Sequence, residues 1–326
     1  MTTFADGLYQ YGGQPVGSAP PPTFGAAGVG KVFFVNSDTG ADGNSGLQMN
    51  RALATIARAY ELVTTNNHDV IVLSAATALS EDDELIVAKN RLHFWGMDAV
   101  GRWYGQRSRW TMGETTGSAI AVVQNTGVGN TFTNIKFDSS DTLDTSLYAF
   151  AEGGEYTVLE RCEIYKSTDL DQATAAELLM NGDSALVRGC TIGSLANEVS
   201  AARTNVLLTR ETISGKVCRD VMFDNCLMWL KSSSATASHF HSTTATDVER
   251  MLLIRDTSMI VAKLSSATVG DAIIVDSAQT EGQILLQNSY NFNSTAIGTT
   301  GSVGILYAGA PVATAGTAGN AIAVTD

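Results

Sequence analysis

The feature that most constrains this chain is a repeat. Six short segments align between residues 130 and 292: NTFTNIKF (130–137), TVLERCEIY (157–165), ALVRGCTI (185–192), VMFDNCLMW (221–229), LLIRDTSMI (252–260) and ILLQNSYNF (284–292). One small or apolar position recurs as Ile135, Cys162, Cys190, Cys226, Thr257 and Ser289, at intervals of 27, 28, 36, 31 and 32 residues. Three positions earlier stand Phe132, Leu159, Val187, Phe223, Ile254 and Leu286, and two positions later Phe137, Ile164, Ile192, Met228 and Met259. These residues are expected to point inward. Between them lie two consecutive polar positions: Thr133-Asn134, Glu160-Arg161, Arg188-Gly189, Asp224-Asn225, Arg255-Asp256 and Gln287-Asn288. Two outward residues in succession break the period-two alternation of a strand. They mark a sharp corner, where Asn or Gly suits the left-handed conformation.

Each repeat also holds an earlier apolar strand: AIAVV (119–123), LYAFA (147–151), AELLM (176–180), NVLLT (205–209), SHFHS (238–242), DAIIV (271–275) and VGILY (303–307). Two or three short strands about every 30 residues, with no crossover helix, describe an all-β solenoid whose coils stack on one another. A strand spacing of ~4.8 Å then makes equivalent residues direct neighbours. The predicted core ladder is therefore Ile135, Cys162, Cys190, Cys226, Thr257 and Ser289, with the cysteines as small apolar fillers. Glu160, Arg188, Asp224 and Arg255 form an outward file of alternating sign, a ladder that needs no catalytic explanation. The four cysteines make no CxxC pair, and neither a disulfide framework nor a metal centre is expected of them.

Composition narrows the function. Lys and Arg total 20 against 33 Asp and Glu, a net charge of −13, which opposes general affinity for nucleic acid or an anionic membrane. Apolar residues make up 44% of the chain and charged ones only 16%, so there is surface to bury and disorder is excluded. No apolar run approaches the ~20 residues of a membrane helix. The first basic residue is Lys31, so the start lacks the charged region of a secretory signal, and synthesis in a cytoplasm is expected.

Residues 1–30 hold four of the five prolines and no periodic pattern, and read as an extended arm. Phe4, Tyr9, Tyr11 and Phe24 give that arm the character of a docking segment rather than a free linker. A strand at 32–35 follows, then a turn-rich loop at 36–46. A helix is predicted over 52–64 from the spacing of Leu53, Ile56, Tyr60 and Val63. The expected organisation is an arm (1–30), a solenoid (31–307) opened by a capping strand and helix (32–64), and an uncharged tail (308–326).

With these elements in place, the chain resembles the right-handed parallel β-helix proteins of the pectate-lyase-like class, particularly those found in bacteriophage virions. The resemblance rests on VFFVNSDTGADGNSGL, the helix after it, VIVLS and LIVAKNRLHFWGM, and the coil ending NTFTNIKF. It covers about residues 31–307 and bears on fold more than on activity. It implies that the helix closes one open end of the solenoid. It also implies a structural virion protein, a capsid decoration or cement protein that contacts a phage major capsid protein and itself as a trimer or dimer. The alternative is a tailspike-like protein that binds or depolymerises polysaccharide.

The motifs that carry chemistry are weak. Gly25 to Lys31 fits GxxxxGK, but Val32 stands where a P-loop needs Ser or Thr and a strand follows where a helix should open, so no nucleotide is expected. Asp38, Asp42 and Asn44, the run Glu81-Asp82-Asp83-Glu84, and Asp138, Asp141 and Asp144 gather oxygen ligands without the order of a calcium loop. His239 and His241 share a strand but lack a third ligand nearby in sequence. No catalytic residue, cofactor or metal is assigned. The most interface-like stretch is 95–113, with Trp95, Arg102, Trp103, Tyr104, Arg107, Arg109 and Trp110. The absence of any charge from 282 to 325 suggests a second covered surface.

Overall fold

The computed structural model describes residues 30–74, 77–97, 108–112, 119–139, 146–167, 175–199, 203–210, 213, 215–232, 234–263, 269–275, 281–298 and 305–308, with the two-residue strands Gln10–Tyr11, Gln14–Pro15, Val312–Ala313 and Ile322–Ala323. The chain winds into a right-handed parallel β-helix with three parallel sheets, to each of which the central coils add one strand apiece. Sheet 1 has ten strands, from Val32–Val35 to Ile305–Ala308. Sheet 2 has eight, from Leu79–Glu81 to Tyr290–Phe292, and sheet 3 has seven, from Leu85–Val87 to Ile273–Val275.

Register follows the repeat. Phe132 pairs with Leu159, Leu159 with Val187, Val187 with Phe223, Phe223 with Ile254 and Ile254 with Leu286, all in parallel ladders, and all six are buried. Aromatic rings fill the early coils: Phe94 stacks on Phe132 at 4.8 Å, and Phe150 meets Phe132 and Phe137 edge-on at 5.0 and 4.9 Å. The corner between sheets 1 and 2 is a left-handed residue in every repeat, with φ of 57° at Asn134, 53° at Arg161, 60° at Gly189, 53° at Asn225, 49° at Asp256 and 48° at Asn288. Asn, Asp and Gly tolerate that region; Arg161 carries its steric cost.

The ladder residues do more than fill space. Cys162, Cys190, Cys226 and Ser289 each donate their side-chain hydrogen to the carbonyl of an inward residue one coil back: Phe132, Leu159, Val187 and Ile254, at 3.3, 3.4, 3.3 and 3.1 Å. The backbone N–H of Cys162 donates to Cys190 Sγ, that of Cys226 to Thr257 Oγ1 and that of Thr257 to Ser289 Oγ. Cys162, Cys190 and Cys226 are buried in the apolar core as expected, and their thiols in addition bond the backbone groups that the corner leaves open. All four cysteines are free and buried, and burial pushes the Cys190 thiol well above its ordinary pKa.

The helix spans Ile56–Leu62 rather than 52–64. Its flanks are claimed by other structure: Leu53 pairs with Val35, Val63 is extended, and Thr64 N–H donates to the buried Asp69 carboxylate. At its start Thr55 accepts from Arg58 N–H, and the Glu81 carboxylate accepts from Ile56 and Ala57 N–H at 2.7 and 3.1 Å. At its end Lys89 Nζ donates to the carbonyls of Tyr60, Glu61 and Val63. Opposite charges thus complement the helix dipole, Glu81 from the strand Leu79–Glu81 and Lys89 from the bend after Leu85–Val87. Ile56 and Ala59 seal the first coils.

One strand lies elsewhere than expected. Ile305–Ala308 extends sheet 1 beside Gly282–Gln287, whereas the segment VGILY aligns by sequence with sheet 3. Among the described residues the next coil meets Ile273–Val275 through the bridge of Ile273 to Gly298 and through the Ala272 and Ile273 N–H groups, which donate to the carbonyls of Ala296 and Ile297 at 2.9 and 2.8 Å.

Candidate functional site

The 36-residue interval between Cys190 and Cys226 has a structural counterpart. Between Thr204–Leu208 of sheet 3 and Cys218–Asp224 of sheet 1 the chain makes an excursion over 209–217, closed by an antiparallel bridge between Arg210 and Val217. Asn181, fully buried, ties it down: Nδ2 donates to the carbonyls of Thr209 and Lys216 at 2.9 and 2.7 Å, and Oδ1 accepts from Ile213 N–H at 2.8 Å. Ile213 then packs on Ala121, Ala151 and Leu179 of the outer face of sheet 3. It sits over Gly153, where a Cβ would lie 2.4 Å from Ile213 Cγ2, so only glycine permits the approach.

The returning arm of the excursion forms one wall of a cleft of about 270 Å³, lined by Glu155, Asp183, Arg210, Gly215, Lys216, Val217, Arg219 and Glu249. The other wall is a file on successive coils, Glu155 beside Asp183, Asp183 beside Arg219 and Arg219 beside Glu249. Every lining carboxylate meets a cation. Glu155 pairs with Lys216, Asp183 with Arg219 at 3.1 Å and Glu249 with Arg219 at 2.7 Å, while Arg210 reaches Glu281 at 2.5 Å. The Arg219 hydrogen bond holds the Glu249 carboxyl below its usual range.

Glu152 lies in the wall beneath this turn, fully buried. It accepts from Asn125 Nδ2, Gly154 N–H and Thr157 Oγ1, with Asn125 in contact with both carboxylate oxygens at 3.1 and 3.0 Å. Burial outweighs those donors and lifts its pKa to about 7.

Several residues singled out by sequence have other work. Trp110, 0% exposed, lies inside the solenoid between Phe94 and Phe137, so it is a core residue and not an interface one. Trp95, 7% exposed, joins Val32, Phe34, Val70 and Val72 on the covered outer face of sheet 1. Both belong to strands of the wall, His93–Gly96 and Arg109–Met112, and strand geometry decided their faces. Arg109 pairs with Asp138 at 2.5 Å, and Tyr165 donates to the same carboxylate at 2.8 Å. Phe4, Tyr9, Phe24, the Tyr11 side chain, Arg102, Trp103, Tyr104 and Arg107 lie outside the described residues, as do Asp141 and Asp144.

The acidic groups are likewise engaged. Asp42 accepts from Ala54 and Thr55 N–H, Asp38 from Thr77 Oγ1, and Glu84 from Ala121 N–H. Among the described residues no three His, Cys, Asp or Glu side chains gather as metal ligands. Buried His239 contacts Asn205 Oδ1 at 2.7 Å through Nδ1, and burial drops its pKa to about 3, so it stays neutral. His68 and His93 stack, with Nδ1 and Nε2 3.1 Å apart. Lys31 leads directly into a strand and its N–H donates to Asp69, which is not the loop-to-helix setting of a phosphate cradle. No described helix is long and apolar enough to cross a membrane.

The cleft was not foreseen from the sequence. Its residues come from four coils and an excursion, and the one available signal was the long interval.

No family model and no curated protein matches the sequence. Solved structures do. A pectate lyase, Pel9A, superposes with a TM-score of 0.55 at 10% identity over 82% of this chain, which spans 64% of that protein's length. A pectin methylesterase from carrot gives a TM-score of 0.44 at 12% identity over 86% of this chain and 89% of its own. At these identities the likeness concerns fold alone: the chain is a right-handed parallel β-helix of the pectate-lyase-like kind.

Proposed function

We propose that this β-helix is a tailspike-like, carbohydrate-contacting protein that holds a polyhydroxylated polymer in the 155–249 cleft without cleaving it. The observation that carries this reading is the pairing of each lining carboxylate with Lys216 or Arg219. Mutually neutralised acids and bases offer many hydrogen-bond donors and acceptors to hydroxyl groups at no net charge. A general acid, by contrast, needs a pKa raised toward the working pH, and the Arg219 bond moves Glu249 the other way. The fold likeness to a pectate lyase is compatible with a saccharide ligand.

The test is calorimetric titration with bacterial capsule and lipopolysaccharide fragments, run beside an assay for new reducing ends and unsaturated uronides. Binding that weakens at least about tenfold in Arg219→Ala, without product, is expected. Binding unaffected by Arg219→Ala removes the cleft from the reading, and reproducible product replaces binding with catalysis.

A second reading rests on the uncharged stretch 282–325. A virion structural protein, seated on a phage major capsid protein through that end and through arm 1–30, would have reason to keep charge off the covered surface. Deleting residues 1–30 and measuring binding to undecorated capsids tests it; undiminished binding removes the arm from the mechanism.

A further inference from the structure

The outer face of sheet 1 carries two parallel files that run along the solenoid axis. One is aliphatic: Val158, Leu186, Met222, Leu253 and Leu285 are in register on successive coils, half-buried except for Leu253 at 9% exposure. The other lies two residues on, and reads Glu160, Arg188, Asp224, Arg255. Arg188 and Arg255 both reach Asp224 through Nε, at 3.1 and 2.9 Å. Arg255 Nε also lies 3.8 Å from Asp256; among the described residues the contacts of both arginines run through Nε, and the two side chains are 49% and 36% exposed.

We infer that this face is an interface between two copies of the chain, related by a two-fold axis that runs along the strand direction. Such an axis keeps each file opposite itself and reverses its order. The sign series minus, plus, minus, plus then meets plus, minus, plus, minus: Glu160 faces Arg255 of the second copy, Arg188 faces Asp224, and the reciprocal pairs follow. All four contacts are attractive, and the partly exposed guanidinium groups of Arg188 and Arg255 can each add a charge-assisted bond across the interface. Val158 opposes Leu253 and Leu186 opposes Met222, giving an apolar centre with a charged flank. Stacking the two solenoids in the same direction with coils level would set each charge at the height of its own copy, which discards that complementarity. The isologous arrangement is the one a two-fold requires.

Cysteine cross-linking of the full chain tests the geometry, since the native cysteines are buried. Val158→Cys and Leu253→Cys proteins are prepared separately, mixed and oxidised. The mixture should give a disulfide dimer, and neither variant alone should, because like positions then stand about 14 Å apart, three strand spacings. Sedimentation should show a dimer of the parent that Arg188→Glu weakens by about tenfold or more, since the change places like charges together twice per dimer. Circular dichroism confirms that these surface variants stay folded. A monomer at high concentration, a trimer, or a Val158→Cys protein that cross-links to itself as readily as to Leu253→Cys overturns the inference.

Discussion

Replacing Glu152 with Gln should abolish a defined part of the protein's pH dependence. The carboxyl is completely buried under the Gly154 turn, and burial raises its pKa from 4.5 to about 7 against the opposing bonds from Asn125, Gly154 and Thr157. Between those two values the folded chain holds a proton that the unfolded chain has released. The folded state thus binds more protons, and stability must fall as pH rises through the window. At about 1.36 kcal/mol per pKa unit, the gap from 4.5 to about 7 corresponds to about 3 kcal/mol, complete only above pH 7. Glutamine has the same shape and no proton to exchange. Its amide will conflict with the Asn125 Nδ2 donor, but that cost is the same at every pH and cancels. Glu84, also raised to about 7 by burial, is present in both proteins and cancels too. Urea unfolding of parent and Glu152→Gln at about pH 5 and about pH 8.5 should therefore show the stability difference moving by about 2–3 kcal/mol in favour of the variant at the higher pH. A difference that stays constant across this range would mean that the three donors keep Glu152 ionised throughout, and the reasoning from burial would be refuted.

Three further outcomes follow from particular contacts. Lys89→Met should lower stability by about 1–2 kcal/mol, because three carbonyls at the end of the Ile56–Leu62 helix lose their donor, and hydrogen exchange should rise in that helix before it rises in the sheets. Arg161→Asn should raise the denaturation midpoint by the equivalent of about 0.5–1 kcal/mol, since φ of 53° suits Asn and strains Arg; no gain would show that the flanking ion pair to Glu160 outweighs the backbone. Asn181→Ala should release the 209–217 excursion, seen as loss of exchange protection at Ile213 N–H and weaker glycan binding, with circular dichroism of the solenoid unchanged.

The spacing of the repeat was enough to determine the stacked coils, the inward rows and the corner. Once coils stack in register, residues about 30 apart become neighbours, so a periodic choice of side chain is a direct record of contact. The alternating file of Glu160, Arg188, Asp224 and Arg255 is the clearest case, realised as ion pairs at 3.1 and 2.9 Å around Asp224. The left-handed corners at Asn134, Asn225 and Asn288 were legible for the same reason, because they recur at a fixed place.

Tertiary structure alone decided the rest. Trp110 looked like an anchor because Trp and Arg cluster around it, yet its strand register turns it between Phe94 and Phe137. Glu81 looked like part of a cation site, yet the helix from 25 residues earlier in the chain places two N–H groups on its carboxylate. The cleft depended on where one irregular excursion lands, and that is set by Asn181 and the bare Cα of Gly153, neither of which belongs to the repeat. Periodic contacts can be read along a chain because each coil restates them; a single non-periodic contact is stated once, and only the folded geometry brings its two sides together.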